Sequence, residues 1–451
     1  MRIGLAALLL ASCADSGPTD DSDDPEDTAA PNSDSDEIGA ETFAAETGIS
    51  LVEAQQRLGW QTSSDALDAE LAPRETYGGI WIDPGHGDRV QVGMVGTADD
   101  ADVMAAATRL AMADGTDVVH VTHSFAELQQ IFDEIDAKLD GTTLGVSLDV
   151  EHNRVTIDIP ATPLAPAESE LVANFTARYG DAIASVPSQI GDASLASLSN
   201  VYSPPARGGT LIQSINNART ERGTCTSGFF VHGKSSGLPY LLTAGHCFAG
   251  GFDDWFTFFT PNGAAHAIGA KGVGAFTSTE DAGLIHIANA KGWKPAPWIV
   301  VHTGKSTAFN SHYVIRSNGT SSMNRFVCHN GVTSGTSCGR VVNPNTTVPY
   351  EDEQHHVHQQ HNQTLTTMCG AKGDSGGPVF VSHQALGTFS LAGHFTNGTC
   401  AGSYQRISLT EKQLGISVAH CGGKGASVET RYDCCSLEAD HSRSNTFLTC
   451  E

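Results

Sequence analysis

The rhythm of apolar positions changes along the chain. Between residues 42 and 160 some stretches repeat at helical spacing and others alternate. Ser50 and Glu53 form a capping-box pair, which predicts a helix running through Leu58. Gly79-Ile80-Trp81-Ile82-Asp83 and Arg89-Val90-Gln91-Val92-Gly93-Met94-Val95 alternate on either side of Pro84-Gly85-His86-Gly87, which predicts a hairpin. The same order comes again. Ser124 and Glu127 open a helix with Phe125, Leu128, Phe132, Ile135 and Leu139 on one face, and residues 145–149 and 154–159 predict a second hairpin. A further helix is expected from Asp102 to Asp114. Two helix-plus-hairpin units predict an α+β domain of two lobes. Residues 161–205 lack periodicity and are expected to be a linker. From Ala206 short β-branched and aromatic runs alternate with Gly, Ser and Asn turns, which predicts an all-β domain, sandwich or barrel.

Charge refines this division. The net charge of −26 belongs to the front of the chain. Residues 14–41 hold eleven Asp/Glu and no Lys/Arg, 42–205 hold 25 acids against 7 bases, and 206–451 hold 15 against 17. Residues 14–41 also hold almost nothing apolar, so they are expected to be a disordered acidic tether. An acidic front opposes nucleic acid and anionic membranes, and neither is expected as a partner. No stretch reaches the roughly 18–20 apolar residues that a spanning helix needs. Residues 1–13 read as a signal peptide: Arg2, an apolar core from Leu5 to Leu10, then small residues. The ending Leu10-Ala11-Ser12-Cys13 resembles a lipobox, which makes Cys13 a candidate for lipidation. The alternative is an ordinary short leader that contains a Cys. There are eleven cysteines. All but Cys13 follow residue 224, and they could pair completely in an oxidising compartment.

The candidate chemistry lies in the all-β part. Hydrolysing an amide needs a nucleophile, a base, a group that orients the base, and donors for the oxyanion. In Gly373-Asp374-Ser375-Gly376-Gly377-Pro378, Ser375 is the candidate nucleophile, and the amides of Gly373 and Ser375 are candidate oxyanion donors. The candidate base is His246 in Leu241-Leu242-Thr243-Ala244-Gly245-His246-Cys247, where an apolar strand delivers it. The candidate orienter is Asp281, beside an apolar strand where an unpaired carboxylate would be costly. The order His, Asp, Ser matches one known chain order for such a triad.

These runs resemble the chymotrypsin-fold serine peptidases, and among them the bacterial branch of streptogrisins and α-lytic protease. So do Cys328-His329-Asn330-Gly331-Val332-Thr333-Ser334-Gly335-Thr336-Ser337-Cys338-Gly339, Arg207-Gly208-Gly209, and the Trp-Ile-Asp-Pro run at 81–84. The similarity covers about residues 42–418. It implies an all-β catalytic domain of two antiparallel six-stranded β-barrels over 206–418, preceded by an α+β pro-region over 42–205 that assists folding and inhibits. It implies disulfides Cys225–Cys247, Cys328–Cys338 and Cys369–Cys400, each typically worth about 2–5 kcal/mol. Polypeptides would be the substrates and the chain's own pro-region its partner. A monomer with no cofactor and no metal is expected, outside the cell or at its surface. Ser390, Leu391 and Ala392 stand where the family lines the substrate backbone. Bulk at 391 and 392 predicts a pocket for small or medium apolar side chains. His329 stands where the family has an arginine thought to pair with the residue matching Asp374, and Arg340 is a possible substitute.

Other features carry less. His355, His356, His358 and His361 could bind a metal, but a solvated hairpin accounts for them better. Trp255, Trp293 and Trp298 fit barrel packing. Cys421, Cys434, Cys435 and Cys450 mark a Cys-rich tail over 419–451. A non-catalytic binding protein on the same scaffold is the alternative to an enzyme.

Overall fold

The computed structural model describes residues 38–160, 162–187, 190–191, 206–215, 222–248, 254–259, 265–288, 290–293, 295–301, 313–351, 357–395, 397–421, 427–428, 439–440 and 448–450. The leader, Cys13, most of the acidic tether, and His355 and His356 lie outside the described residues.

Helices α1 (Ile38–Thr47) and α2 (Leu51–Leu71) come first. The Glu53 amide donates to Ser50 Oγ, as the capping pair predicts. α2 runs well past Leu58 because Leu58, Gln61, Ser64, Leu67 and Leu71 keep one face buried. α1 begins inside the expected tether. Ala40 and Phe43 explain the difference: both are buried, and Phe43 meets Phe326 at 5.0 Å between ring centres.

Two units then follow. β1 (Tyr77–Asp83) and β2 (Arg89–Val95) form the expected hairpin, and α3 (Asp100–Arg109) leads to β3 (Thr116–Val121), parallel to β2. α4 (Phe125–Asp136) precedes the hairpin of β4 (Gly145–Asp149) and β5 (Arg154–Ile159), and α5 (Pro166–Tyr179) leads to β6 (Ile183–Pro187), parallel to β5. Each unit therefore holds one parallel strand more than the sequence predicts; α3 matches the expected further helix, and α5 is unexpected. α3 stops short of Asp114 because Ala111 takes a φ of 55°, outside the helical region. The expected linker is corrected as far as Pro187. Pro166 suits a first helical turn, Glu168 accepts from the Ala165 amide at 2.9 Å, and Phe175 is buried in the second lobe with Leu171 and Val172 against it.

Among the described residues the remainder is mostly strand, with a helix at Ile407–Leu414. The next are β7 (Ile190–Gly191), β8 (Leu211–Ile215), β9 (Arg222–Thr226), β10 (Phe230–Gly233), β11 (Pro239–Thr243), β12 (Asp254–Phe259), β13 (Ala265–Thr277), β14 (Glu280–His286), β15 (Trp298–Ile299) and β16 (Tyr313–Val314). Then come β17 (Ser317–Asn318), β18 (Phe326–Gly331), β19 (Gly335–Glu351), β20 (Val357–Thr366), β21 (Pro378–Val381), β22 (Gln384–Phe395), β23 (Cys400–Arg406) and β24 (Ile416–Val418). One sheet of eight strands runs β24-β10-β11-β14-β13-β12-β8-β9. A second sheet runs β18-β21-β22-β23-β20-β19 and continues through β4-β5-β6, with β7 and β17 paired to β22. The joint between the two parts is the antiparallel pairing of Thr346 with Ser147 and Thr347 with Val146. In the tail, the strands at 427–428, 439–440 and 448–450 form a small sheet, and Cys421 is disulfide-bonded.

One apolar core crosses from the helices into the β-rich part. It joins Ala40, Phe43, Ala54 and Leu58 to Phe326, Val341, Phe380 and Phe389. Full burial of one such aromatic stabilises by about 1.5–3 kcal/mol. A polar cluster accompanies it. Arg325 is wholly buried and donates to Asp65 of α2 at 2.7 Å and to Gln384 at 2.5 Å. Arg340 pairs with Asp88 at 2.7 Å, and Arg57 reaches the same carboxylate at 3.0 Å.

Candidate active site

β11 ends at Thr243, and the chain turns at once through a short helical turn, Gly245–Phe248, that carries His246. β14 lies beside β11 in register, Thr243 opposite Gly283, which brings Asp281 up to the turn. Asp281 is wholly buried. It accepts from the His246 amide at 2.8 Å, and its two oxygens lie 3.1 and 3.0 Å from His246 Nδ1. Ser390 Oγ also donates to it, and its own amide donates to Gln405 Oε1 at 2.5 Å. Burial opposes the Asp281 charge, but the His246 charge and these hydrogen bonds outweigh it and lower the pKa. Burial likewise opposes the imidazolium, but the Asp281 charge and hydrogen bond hold the His246 pKa above its ordinary value. About a quarter of the His246 side chain stays exposed, and its ring meets that of Phe276 edge-on with centres 5.6 Å apart. A carboxylate at Nδ1 keeps the proton there and leaves Nε2 free to accept one.

Ser375 sits on the turn before β21, tied to the base's surroundings by its backbone. The Thr226 amide donates to Ser375 O at 2.8 Å, and Cys247 Sγ lies 3.9 Å from the same oxygen. The turn demands glycine at 376. Its φ is 87°, and a Cβ there would lie 2.1 Å from Thr243 Oγ1 and 2.5 Å from Thr226 O. Gly373 has a φ of 105°, and among the described residues neither its amide nor that of Ser375 donates to the protein. Among the described residues Ser375 Oγ makes one long bond, 3.4 Å to Ser390 O. Among the described residues no hydrogen bond joins Ser375 Oγ to His246; such bonds often tighten only with substrate.

Ser390, Leu391 and Ala392 lie on β22, where its pairing with β23 is interrupted between Phe389 and Ala392. Nothing local in the sequence signals that the Ser390 hydroxyl bonds Asp281, or that Gln405 receives the Asp281 amide. Both contacts join residues more than a hundred positions apart.

Asp374 finds four donors without an arginine. They are the amides of Ala371 at 2.8 Å, Thr333 at 2.7 Å and Ser334 at 3.1 Å, together with Ser334 Oγ. Arg340 as its partner is corrected: that guanidinium is held by Asp88 and the Asn324 carbonyl. The disulfides Cys225–Cys247, Cys328–Cys338 and Cys369–Cys400 are all present. His361 is also a correction. It is buried against α4 and not in a solvated hairpin. Its Nδ1 lies 2.6 Å from Asp136, and its Nε2 is 3.4 Å from Asp140. Among the described residues no three His, Cys, Asp or Glu side chains converge as metal ligands would, and no helix is long and apolar enough to cross a membrane.

Comparison with known proteins identifies the family. The family model described as Trypsin matches residues 211–413. Serine protease 1 of Streptomyces fradiae is 26% identical over 423 residues, covering 92% of this chain and 98% of that protein. Serine protease 2 of Streptomyces fradiae is 33% identical over 169 residues, covering 37% of this chain and 86% of that protein. The crystal structure of Thermobifida fusca protease A superposes with a TM-score of 0.36 at 23% identity, over 48% of this chain and 98% of that one. The chain belongs to the trypsin family of chymotrypsin-fold serine peptidases. It is a serine-type endopeptidase of the bacterial branch it resembles.

Proposed function

We propose that this endopeptidase works through an acyl-enzyme on Ser375. Ser375 Oγ attacks the scissile carbonyl and passes its proton to His246 Nε2. Asp281 stabilises the imidazolium and holds its tautomer. The amides of Gly373 and Ser375 receive the oxyanion. His246 then protonates the leaving amine, and water releases the acyl group by the same steps in reverse. One observation carries this reading: a wholly buried carboxylate fixes His246 and, among the described residues, Nε2 is left free and the two amides of the neighbouring turn donate to no protein group.

Residues 42–205 act as an inhibitory pro-region that assists folding, and residues 206–418 form the enzyme as two six-stranded barrels. Three observations support this. β4 extends the sheet through β19. β7 pairs with Phe395 and His394, at the end of the strand that carries Ser390–Ala392. The apolar core is shared across both parts. The precursor is exported, with Cys13 as its lipid attachment point, and cutting near Ala206 frees a monomeric enzyme from that anchor. Leu391 and Ala392 narrow the first pocket, so small or medium apolar side chains are preferred beside the cut. Cleavage of a peptide library dominated by aromatic or basic residues at that place would overturn this preference.

The proposal is tested with the matured protein and its Ser375→Ala and His246→Ala variants on an unfolded polypeptide substrate. Each substitution is expected to lower kcat by about 10⁴-fold or more. A variant keeping a tenth of the activity would contradict the assignment.

A further inference from the structure

His329 has no part in the reaction as described, yet its surroundings are specific. It lies on β18 next to Cys328 and is wholly buried. Its Nε2 is 2.6 Å from the carbonyl oxygen of Cys369. A carbonyl can only accept, so the imidazole carries its proton on Nε2. Its ring stacks on Phe389, with centres 4.2 Å apart and planes 12° from parallel. Nδ1 is buried and, among the described residues, has no partner.

Both contacts end on the segment that carries Gly373 and Ser375. Cys369 begins that segment. Phe389 closes it: its amide donates to Gly377 O at 2.8 Å, and its carbonyl accepts from the Gly376 amide at 2.7 Å. The Phe389 ring also fills the space beside Gly370, where a Cβ would meet it at 2.4 Å. A shift of a few tenths of an ångström at either end would move the two amides off the point where an oxyanion forms.

We propose that His329 is the positioning residue of the oxyanion loop, clamping the Cys369 carbonyl through Nε2–H and bracing Phe389 through its ring. The proposal rests on Gly373 and Ser375 being the oxyanion donors. Burial supports it by pushing the His329 pKa down, against the charge of Asp374. A second proton would create a buried N–H without an acceptor, so the clamp stays neutral while His246 titrates.

The test compares His329→Phe, which keeps a ring but has no donor, with His329→Gln, which keeps a donor. The matured enzymes are assayed for kcat, KM and affinity for a peptide boronate that mimics the tetrahedral state. In His329→Phe, kcat and boronate affinity are expected to fall by about 10- to 100-fold while KM stays within about twofold, because oxyanion donors act in the transition state. His329→Gln is expected to recover part of both. Unchanged kcat and boronate affinity in folded His329→Phe, or a change confined to KM, overturns the proposal. If His329→Phe does not fold, ring-nitrogen NMR of the wild-type enzyme decides. The clamp predicts the Nε2–H tautomer and a shift of that signal when boronate binds; an Nδ1–H tautomer or an unmoved signal overturns it. Ser375→Ala is assayed in parallel. Full activity there would show that the acyl-enzyme reading failed, and not the clamp.

Discussion

Two histidine–aspartate pairs in this molecule have similar distances and different uses. His246 sits 3.0 Å from Asp281 within the β-rich part, and His361 sits 2.6 Å from Asp136 across the joint with the N-terminal part. In both, burial opposes the imidazolium and the carboxylate wins, so both histidines have raised pKa values. What separates them is the second ring nitrogen. His246 Nε2 is free of protein partners among the described residues, and about a quarter of the side chain is exposed. His361 Nε2 meets a second carboxylate, Asp140, at 3.4 Å, and Thr347 Oγ1 lies 3.1 Å from Nδ1. A histidine with both nitrogens engaged holds two parts together; one with a free nitrogen can move a proton.

The largest expected effect breaks the first pair. Asp281→Asn is expected to lower kcat by about 10⁴-fold, because the amide no longer enforces the reactive tautomer. With the carboxylate charge gone, the His246 pKa falls, so the acid limb of the remaining activity moves to lower pH. A pH–rate profile of the variant checks both. His361→Gln, by contrast, is expected to leave kcat of the matured enzyme within about twofold.

The joint gives the next effect. Asp65→Ala leaves the buried Arg325 charge without its carboxylate while the two parts are together, with only Gln384 and the Thr320 carbonyl as hydrogen-bond partners. Removing one partner of a buried pair costs about 3–5 kcal/mol, so the separated N-terminal part should bind the enzyme at least about 100-fold more weakly. Titrating inhibition of the enzyme by that part reads the change.

The smallest effect concerns pH. The raised His361 pKa means that protonation and association favour each other. The added affinity is fully present below the ordinary histidine pKa of about 6.5 and is lost as pH rises through the higher value of the joined state. Inhibition by the N-terminal part is therefore expected to weaken several-fold towards alkaline pH, and His361→Gln should flatten that slope. An unchanged slope in the variant would assign the effect to another group.

The sequence made local features legible. The run to His246, the turn around Ser375 and both hairpins of the N-terminal part are written in contiguous residues, where strand alternation and glycine placement carry the signal. β3 and β6 were hidden because each pairs in parallel with a strand left long before, and Asp117 and His120 interrupt the apolar run of β3. α5 lacks a polar N-cap side chain, since Ala165 occupies that place. The pairing of β4 with β19 joins residues about two hundred positions apart, and nothing local specifies it. Within the candidate site, the runs that carry His246, Asp281 and Ser375 could be picked out directly. The Ser390 hydroxyl on Asp281, the Gln405 contact and the four donors on Asp374 depend on packing between distant strands.

The central claim is that Ser375 is the nucleophile served by His246. The most direct measurement treats matured enzyme with a fluorophosphonate and maps the adduct by mass spectrometry. The account predicts a single adduct on Ser375, formed more slowly as pH falls through the His246 titration and absent in Ser375→Ala. An adduct on another residue, or undiminished labelling of Ser375→Ala, would contradict it.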